Sequence, residues 1–311
     1  MNSSCERELG PHIFVASNDK FSQVIVILCI VNTLTAIIST TENLVVAAAI
    51  LRTRSLHTPS LTLLCGLALS DLAVGFISQP IFVAFNLADL YRNCELFSVI
   101  AKVHEYFACQ LVAVTFLAIS ATAVERFLAL KIHLRYRELV TIRRTVLCLL
   151  FIWIIASIFA TWLSTHRPSA DTGMVVLVLI FLFNNGTCYW KIFRIIRHHQ
   201  RQIENQFHVQ HQGVQRTGPN IARYRKSVCS LLYVAGFFCL SFFPWVVLGI
   251  AIQVINKGYT VEIVLAERIL YTITYLNSCF NPLLYCWRIE EIRQAIKEQL
   301  KVICCTLNLS S

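Results

Sequence analysis

The chain has 311 residues, of which 56% are hydrophobic and only 14% charged, with a mean hydropathy of +0.63 and a formal net charge of +10. A soluble chain averages about 25% charged residues, so this composition excludes a soluble globule and with it a soluble enzyme. The lipid bilayer is the expected solvent.

In chain order, residues 1–20 read as a short polar tail carrying a glycosylation sequon at Asn2-Ser3-Ser4. The tail lacks a basic stretch followed by an apolar core, and Phe21–Thr41 is too long for a cleaved leader. The first span is therefore expected to act as its own insertion signal. Seven apolar stretches follow: Phe21–Thr41, Leu61–Leu87 with Asp71 inside it, Leu96–Ala129, Thr145–Thr165, Met174–Trp190, Ser227–Ile255 and Ile269–Trp287. Each is close to or above the ~20 residues that an apolar helix needs to cross hydrocarbon. They are continuously apolar rather than alternating, which favours helices over barrel strands. The fold class is an all-α membrane protein: a seven-transmembrane helix bundle over residues 21–287, with an amphipathic helix and tail over 288–311. The connecting segments are too short for an independent catalytic domain, so no enzymatic activity is expected.

Basic residues favour the cytoplasmic ends of membrane helices. With the N-terminus outside, most of the 27 Lys and Arg residues fall on the inner side, among them Arg52, Arg126, Lys131, Arg143, Arg144, Lys191, Arg194 and Arg225. This predicts a multi-pass plasma-membrane protein with an extracellular N-terminus. It also accounts for the net charge through the anionic head groups of the bilayer rather than nucleic acid. Beyond Trp190 the fifth span continues as a basic amphipathic extension, and 205–220 reads as a loop. After the seventh span, Ile289, Ile292, Ile296 and Leu300 share one face of a short helix lying on the membrane. Cys304 and Cys305 follow it, placed for thioester lipidation at the inner leaflet. Of the thirteen cysteines, Cys5 and Cys94 are the two expected to face an oxidising compartment, where they either pair or remain free.

Polar residues inside spans are costly and mark candidate function. Asn43 with Glu42, Asp71, Thr115, Asn277, Ser278 and Asn281 are expected at similar depth. Three readings stand open for Asp71: a protonated carboxyl, a small hydrated cation such as sodium held with the neutral oxygens, or a purely structural network between helices. At the inner end of the third span stands Glu125-Arg126-Phe127, an acid beside an arginine it can restrain. The sixth span carries Phe238 to Pro244, with Phe242 between them, and the seventh carries Asn281-Pro282-Leu283-Leu284-Tyr285. Each proline removes a backbone donor and offers a pivot.

Asn43, Leu67 to Leu72, Glu125-Arg126-Phe127, Trp153, Tyr189, Phe238 to Pro244 and Asn281 to Tyr285 together resemble the rhodopsin-like (class A) G-protein-coupled receptors, from Asn43 to about Cys305. The resemblance implies that Glu125 and Arg126 gate the cytoplasmic face, that Pro244 is the hinge and Phe242 the rotating aromatic, and that Tyr285 swings towards Tyr189. It also brings in Leu134 and Tyr136 of the second inner loop. The implied function is binding an extracellular ligand and activating a heterotrimeric G protein, with no cofactor beyond an allosteric sodium ion. The sequence departs from the family at Ala101, where a disulfide cysteine is usual, at Phe181, where proline is usual, and at His133. Glu42 replaces the usual glycine. A short second outer loop without cysteine, the missing proline at Phe181 and the presence of Glu42 look like the melanocortin and adenosine neighbourhood of the family, or an invertebrate orphan receptor beside it. Of the melanocortin receptors' acidic trio only Glu105 has a counterpart, and the adenosine receptors' sixth-helix asparagine falls at Gly249.

Amine receptors of the family place an aspartate where this chain has Ala108. The expected ligand set is His104, Glu105, Ala108, Gln79, Trp162, Trp245, Gln253, Tyr271 and Tyr275, with Asn86 and Arg268 as neighbours. Its mixed polar and aromatic character favours a peptide or polar small molecule over a monoamine. A transporter or channel is the alternative, and no internal repeat supports it. A light-driven pigment would need a Schiff-base lysine where this chain has Tyr275.

Overall fold

The computed structural model describes residues 19–132, 135–165, 176, 178–197, 236–251 and 260–309. No strand occurs among them. The first span is one helix, Asp19–Arg52, and a single turn of 3-10 helix at Arg54–Leu56 leads to the second. The second span opens at Pro59, whose missing N–H costs nothing in a first helical turn, after the Thr58 hydroxyl accepts a hydrogen bond from the Leu61 N–H at 3.3 Å. It runs through Pro59–Ala73, a π-helical turn at Val74–Ser78, and Gln79–Leu90. At the π turn the chain has Gly75, where an added Cβ would stand 2.7 Å from the Thr40 hydroxyl and 3.0 Å from the Ala36 carbonyl. The first and second spans can approach this closely only without a side chain there.

The turn into the third span is short. Arg92 takes the left-handed conformation, and Asn93 caps the following helix through its side-chain oxygen, 3.2 Å from the Leu96 N–H. The third span, Cys94–Ile132, is the longest, and the short helix Tyr136–Leu139 connects it to the fourth, Ile142–Thr165. The fifth span is described over 178–197 and the sixth over Gly236–Ala251. The seventh, Val261–Arg288, continues as helix through Pro282 and is followed by Glu290–Leu309. Among the described residues, four helices are long and apolar enough to cross a membrane: Phe21–Arg52, Pro59–Leu90, Cys94–Ile132 and Ile142–Thr165.

The seventh span starts earlier than the charge-free stretch at Ile269 suggests. Glu262, Glu267 and Arg268 all lie in its outer turns, and the fold buries Arg268 rather than leaving it outside. The final helix tucks Ile292 and Ala295 under the bundle, and the Gln299 amide reaches the Ala48 carbonyl at 3.3 Å. Its backbone includes Cys304 and Cys305. Cys94 is disulfide-bonded, and Cys5 lies outside the described residues.

Candidate functional site

Three polar groupings lie along the bundle. At the outer end, Arg268 of the seventh span, 3% exposed, reaches across to the second span. Its Nη2 is 2.6 Å from Asp89 Oδ2, its Nη1 donates to Asn86 Oδ1 at 2.6 Å, and its guanidinium lies 4.6 Å from the Phe85 ring centroid. Phe85 also stacks on Phe97 at 4.8 Å and, nearly parallel at 5.3 Å, on His104 of the third span. The His104 Nε2 is 3.0 Å from the Tyr275 hydroxyl. Phe82 and Tyr271 border the same imidazole, and the Trp245 ring meets Tyr271 edge-on at 4.6 Å while its N–H donates to Thr274. Spans two, three, six and seven thus meet through one aromatic and charged cluster.

His104, Tyr271, Tyr275 and Trp245 come together there, with Ala108 buried on the third span. Gln79 points elsewhere: it is buried and donates to the Thr35 hydroxyl of the first span at 2.7 Å. Trp162 is exposed on the fourth span with its ring against Phe159. Gln253 lies outside the described residues, as do Leu134 and Asn2.

Midway through the bundle, Asp71 accepts hydrogen bonds from the Ser278 hydroxyl at 3.0 Å and the Asn281 amide at 2.8 Å. Asn43 donates to the Ser278 carbonyl, also at 2.9 Å to the Ser39 carbonyl, and Ser241 of the sixth span donates to Asn277 Oδ1. Four spans meet in this network, and among the described residues the seventh alone supplies the donors to the carboxylate itself, Ser278 and Asn281. The Thr115 hydroxyl, expected beside it, instead donates to its own helix at the Leu111 carbonyl. As packed here, the carboxylate is met by hydrogen-bond donors, the Ser278 hydroxyl and the Asn281 amide N–H. The Asn277 Nδ2 is buried with no hydrogen-bond partner among the described residues.

Beside this cluster, Phe116, Phe181, Phe238 and Phe242 pack as a quartet, Phe116 next in the chain to Thr115 and Phe242 next to Ser241. Phe116 lies 4.4 Å from Phe181, 5.1 Å from Phe238 and 4.8 Å from Phe242, centroid to centroid. Sequence reading picked out three of these rings and missed Phe116. Its signal was the exchange of proline for Phe181, whose larger ring needs a facing surface. Any rotation of Phe242 beside Pro244 must repack this quartet, because interiors are close-packed.

At the inner end, Glu125 Oε2 is 3.5 Å from Arg126 Nε, an ion pair without a hydrogen bond. The other carboxylate oxygen accepts from the Ser60 hydroxyl at 2.7 Å and from the Tyr136 hydroxyl. Burial and its bond to Glu125 push the Tyr136 phenol well above its ordinary range, so it remains a proton donor at any physiological pH. Glu125 is thereby fixed from the second span and the second inner loop at once. Phe127 sits between Lys131 and Lys191. The Tyr189 and Tyr285 hydroxyls are both buried without a hydrogen-bond partner among the described residues.

These arrangements can be set against known proteins. A profile described as 7 transmembrane receptor (rhodopsin family) matches residues 42–169 and 165–285. The chain is also 24% identical over 284 residues to melanocortin receptor 4 of Danio rerio, across 88% of this chain and 83% of that protein.

Proposed function

The chain belongs to the rhodopsin family of seven-transmembrane receptors and is a G-protein-coupled receptor, and on that premise we propose that it stands in the plasma membrane with its N-terminus outside, binds an extracellular ligand and promotes nucleotide exchange on a heterotrimeric G protein. It does so without covalent chemistry of its own. The observation that carries this reading is the restrained arginine at the inner end. Ser60 and Tyr136 hold Glu125, and Glu125 holds Arg126. A ligand that favours a different packing of the outer helix ends would shift this clasp between closed and open populations. Opening frees the guanidinium for a transducer, while the Tyr189 and Tyr285 hydroxyls, without a hydrogen-bond partner among the described residues, can stabilise the open form. No observation favours a transporter or channel.

The ligand is a peptide or a polar small molecule. Ala108 leaves a monoamine without a counter-ion at the place where the family's amine receptors supply one, whereas His104, Glu105, Trp245, Tyr271 and Tyr275 offer mixed polar and aromatic contacts. The likeness to a melanocortin receptor supports the peptide. Asp71, with Ser278, Asn281, Asn277 and Thr115 as neutral oxygen donors, would hold sodium in the resting packing. In this reading Asn2 carries a glycan, and Cys304 and Cys305 carry acyl chains.

Arg126→Ala tests the central claim. At equal surface expression, ligand binding should survive and the second-messenger response should be lost. An unchanged response would remove Arg126 from the coupling role.

A further inference from the structure

We infer that the surface where the inner ends of the third and fifth spans meet over Phe127 is a binding site for one anionic phospholipid of the cytoplasmic leaflet, held by Lys131 and Lys191. The two ammonium groups come from different spans onto one ring, at 5.7 Å and 5.6 Å from its centroid. Like charges gathered this way repel one another unless an anion joins them. Among the described residues no carboxylate pairs with either lysine. Arg194 and Arg197 extend the positive patch along the fifth span, lying 4.7 Å and 6.0 Å from the Trp190 and Phe193 ring centroids, again without an acidic partner among the described residues.

The surroundings select a lipid over a soluble anion. Leu179, Phe183, Gly186, Trp190, Phe193 and Arg197 recur at helical spacing along one exposed face of the fifth span. Trp190 is 58% and Phe193 61% exposed, and nothing lies within 4 Å of a Cβ built on Gly186. Such a face is suited to an acyl chain lying over Leu179, Phe183 and the glycine notch. Tryptophan at the level where hydrocarbon gives way to head groups is the usual interfacial anchor. The arginines directly beyond it reach into the phosphate layer. A cytosolic partner could use the lysines but not the apolar stripe on the adjoining face of the same helix.

The test uses the full-length receptor in mixed detergent micelles containing phosphatidylcholine with either phosphatidylserine or phosphatidylinositol 4-phosphate, and native mass spectrometry to count retained lipid. Wild type should retain one anionic lipid above the phosphatidylcholine background. Lys131→Gln with Lys191→Gln should lower its occupancy about tenfold, since each basic residue near a charged surface contributes on the order of a few-fold to tenfold in affinity. Arg137→Gln with Arg143→Gln, elsewhere on the same inner surface, should leave occupancy unchanged. If the lysine variant fails to fold, Arg194→Gln with Arg197→Gln takes its place and should also lower occupancy, because both side chains are exposed. The inference is overturned if the patch variants retain lipid as wild type does, or if the control pair loses as much. It is likewise overturned if glycerophosphoinositol 4-phosphate, the head group without acyl chains, binds as tightly as the lipid. A coupling defect of the lysine variant that persists in pure phosphatidylcholine discs, with lipid retention unchanged, would assign the patch to the G protein instead.

Discussion

The two ends of the bundle handle buried polarity in opposite ways. At the outer end, Arg268, Asp89, Asn86, His104 and Tyr275 are each engaged by a named partner, and the cluster ties the second, third and seventh spans together. At the inner end, the Tyr189 and Tyr285 hydroxyls are buried with no hydrogen-bond partner among the described residues. Contacts made across three spans define one packing, whereas a hydroxyl that meets no partner keeps an interaction that another packing can supply. The outer end is therefore built as a brace and the inner end as a moving part.

The largest expected effect comes from breaking the brace. Arg268→Met would leave Asp89 buried without its cation and should cost about 3–5 kcal/mol. In thermal unfolding of the purified receptor this should appear as a large loss of stability or a failure to reach the surface. Arg268→Met combined with Asp89→Leu should recover much of the loss, since the orphaned charge is then gone. A single variant that melts like wild type would mean that the outer end is no firmer than the inner one.

A smaller effect is expected where the moving part is held. Ser60→Ala with Tyr136→Phe removes both hydroxyl donors from the Glu125 carboxylate. Hydrogen bonds to a charged group contribute about 1.5–3 kcal/mol each in difference measurements, so even part of that should raise ligand-independent signalling about tenfold. Because the Tyr136 phenol is held protonated far into the alkaline range, the wild-type restraint should not weaken between neutral and mildly alkaline pH. Basal nucleotide exchange in membranes reads both. Unaltered basal exchange in the double variant would show that Glu125 is not the restraint.

The mid-bundle carboxylate lies between the two regions and should couple them more weakly still. If sodium favours the resting packing, agonist affinity should fall as sodium replaces a bulky organic cation at constant ionic strength. The shift should be about five- to thirtyfold, in the usual range of coupling between sites. Asp71→Asn should abolish it. A wild type indifferent to sodium would leave the Asp71 cluster as a purely structural link.

Much of the bundle was legible because hydrocarbon imposes a long apolar run on any helix that crosses it. The meeting of Asp71 with Ser278 and Asn281 could also be read, since a buried carboxylate demands partners at its own depth. The outer brace could not. Glu262, Glu267 and Arg268 look like the end of a span, and nothing local says that Arg268 will find Asp89 across the bundle. Hydroxyl direction was equally hidden: Thr115 could face Asp71 or its own backbone, and a single rotamer decides. Gln79 was grouped with outer-pocket residues by position, yet its amide turns to Thr35 of the first span. Spacing gives depth along a helix, but the partner of a long polar side chain depends on which neighbour the packing brings within reach.

The smallest effect on the resting protein, and the sharpest test of the contrast, is removal of the unmet hydroxyls. Tyr285→Phe deletes one oxygen and keeps the ring in its buried place. If that oxygen has no partner in the resting packing, nothing is lost, and a buried unsatisfied group that itself costs about 1–3 kcal/mol is removed. The melting temperature of the resting receptor should therefore be unchanged or higher, while the agonist-driven response falls because the open form has lost a bond it would make. Tyr189→Phe should behave alike, and the double variant should signal no worse than either single one, since two groups that meet each other fail together. The outer counterpart is Tyr275→Phe, whose hydroxyl is 3.0 Å from His104. There the resting protein should lose about 1 kcal/mol of stability. Should Tyr285→Phe destabilise the resting receptor by as much as Tyr275→Phe, the inner hydroxyl is bonded after all and the two ends of the bundle do not differ.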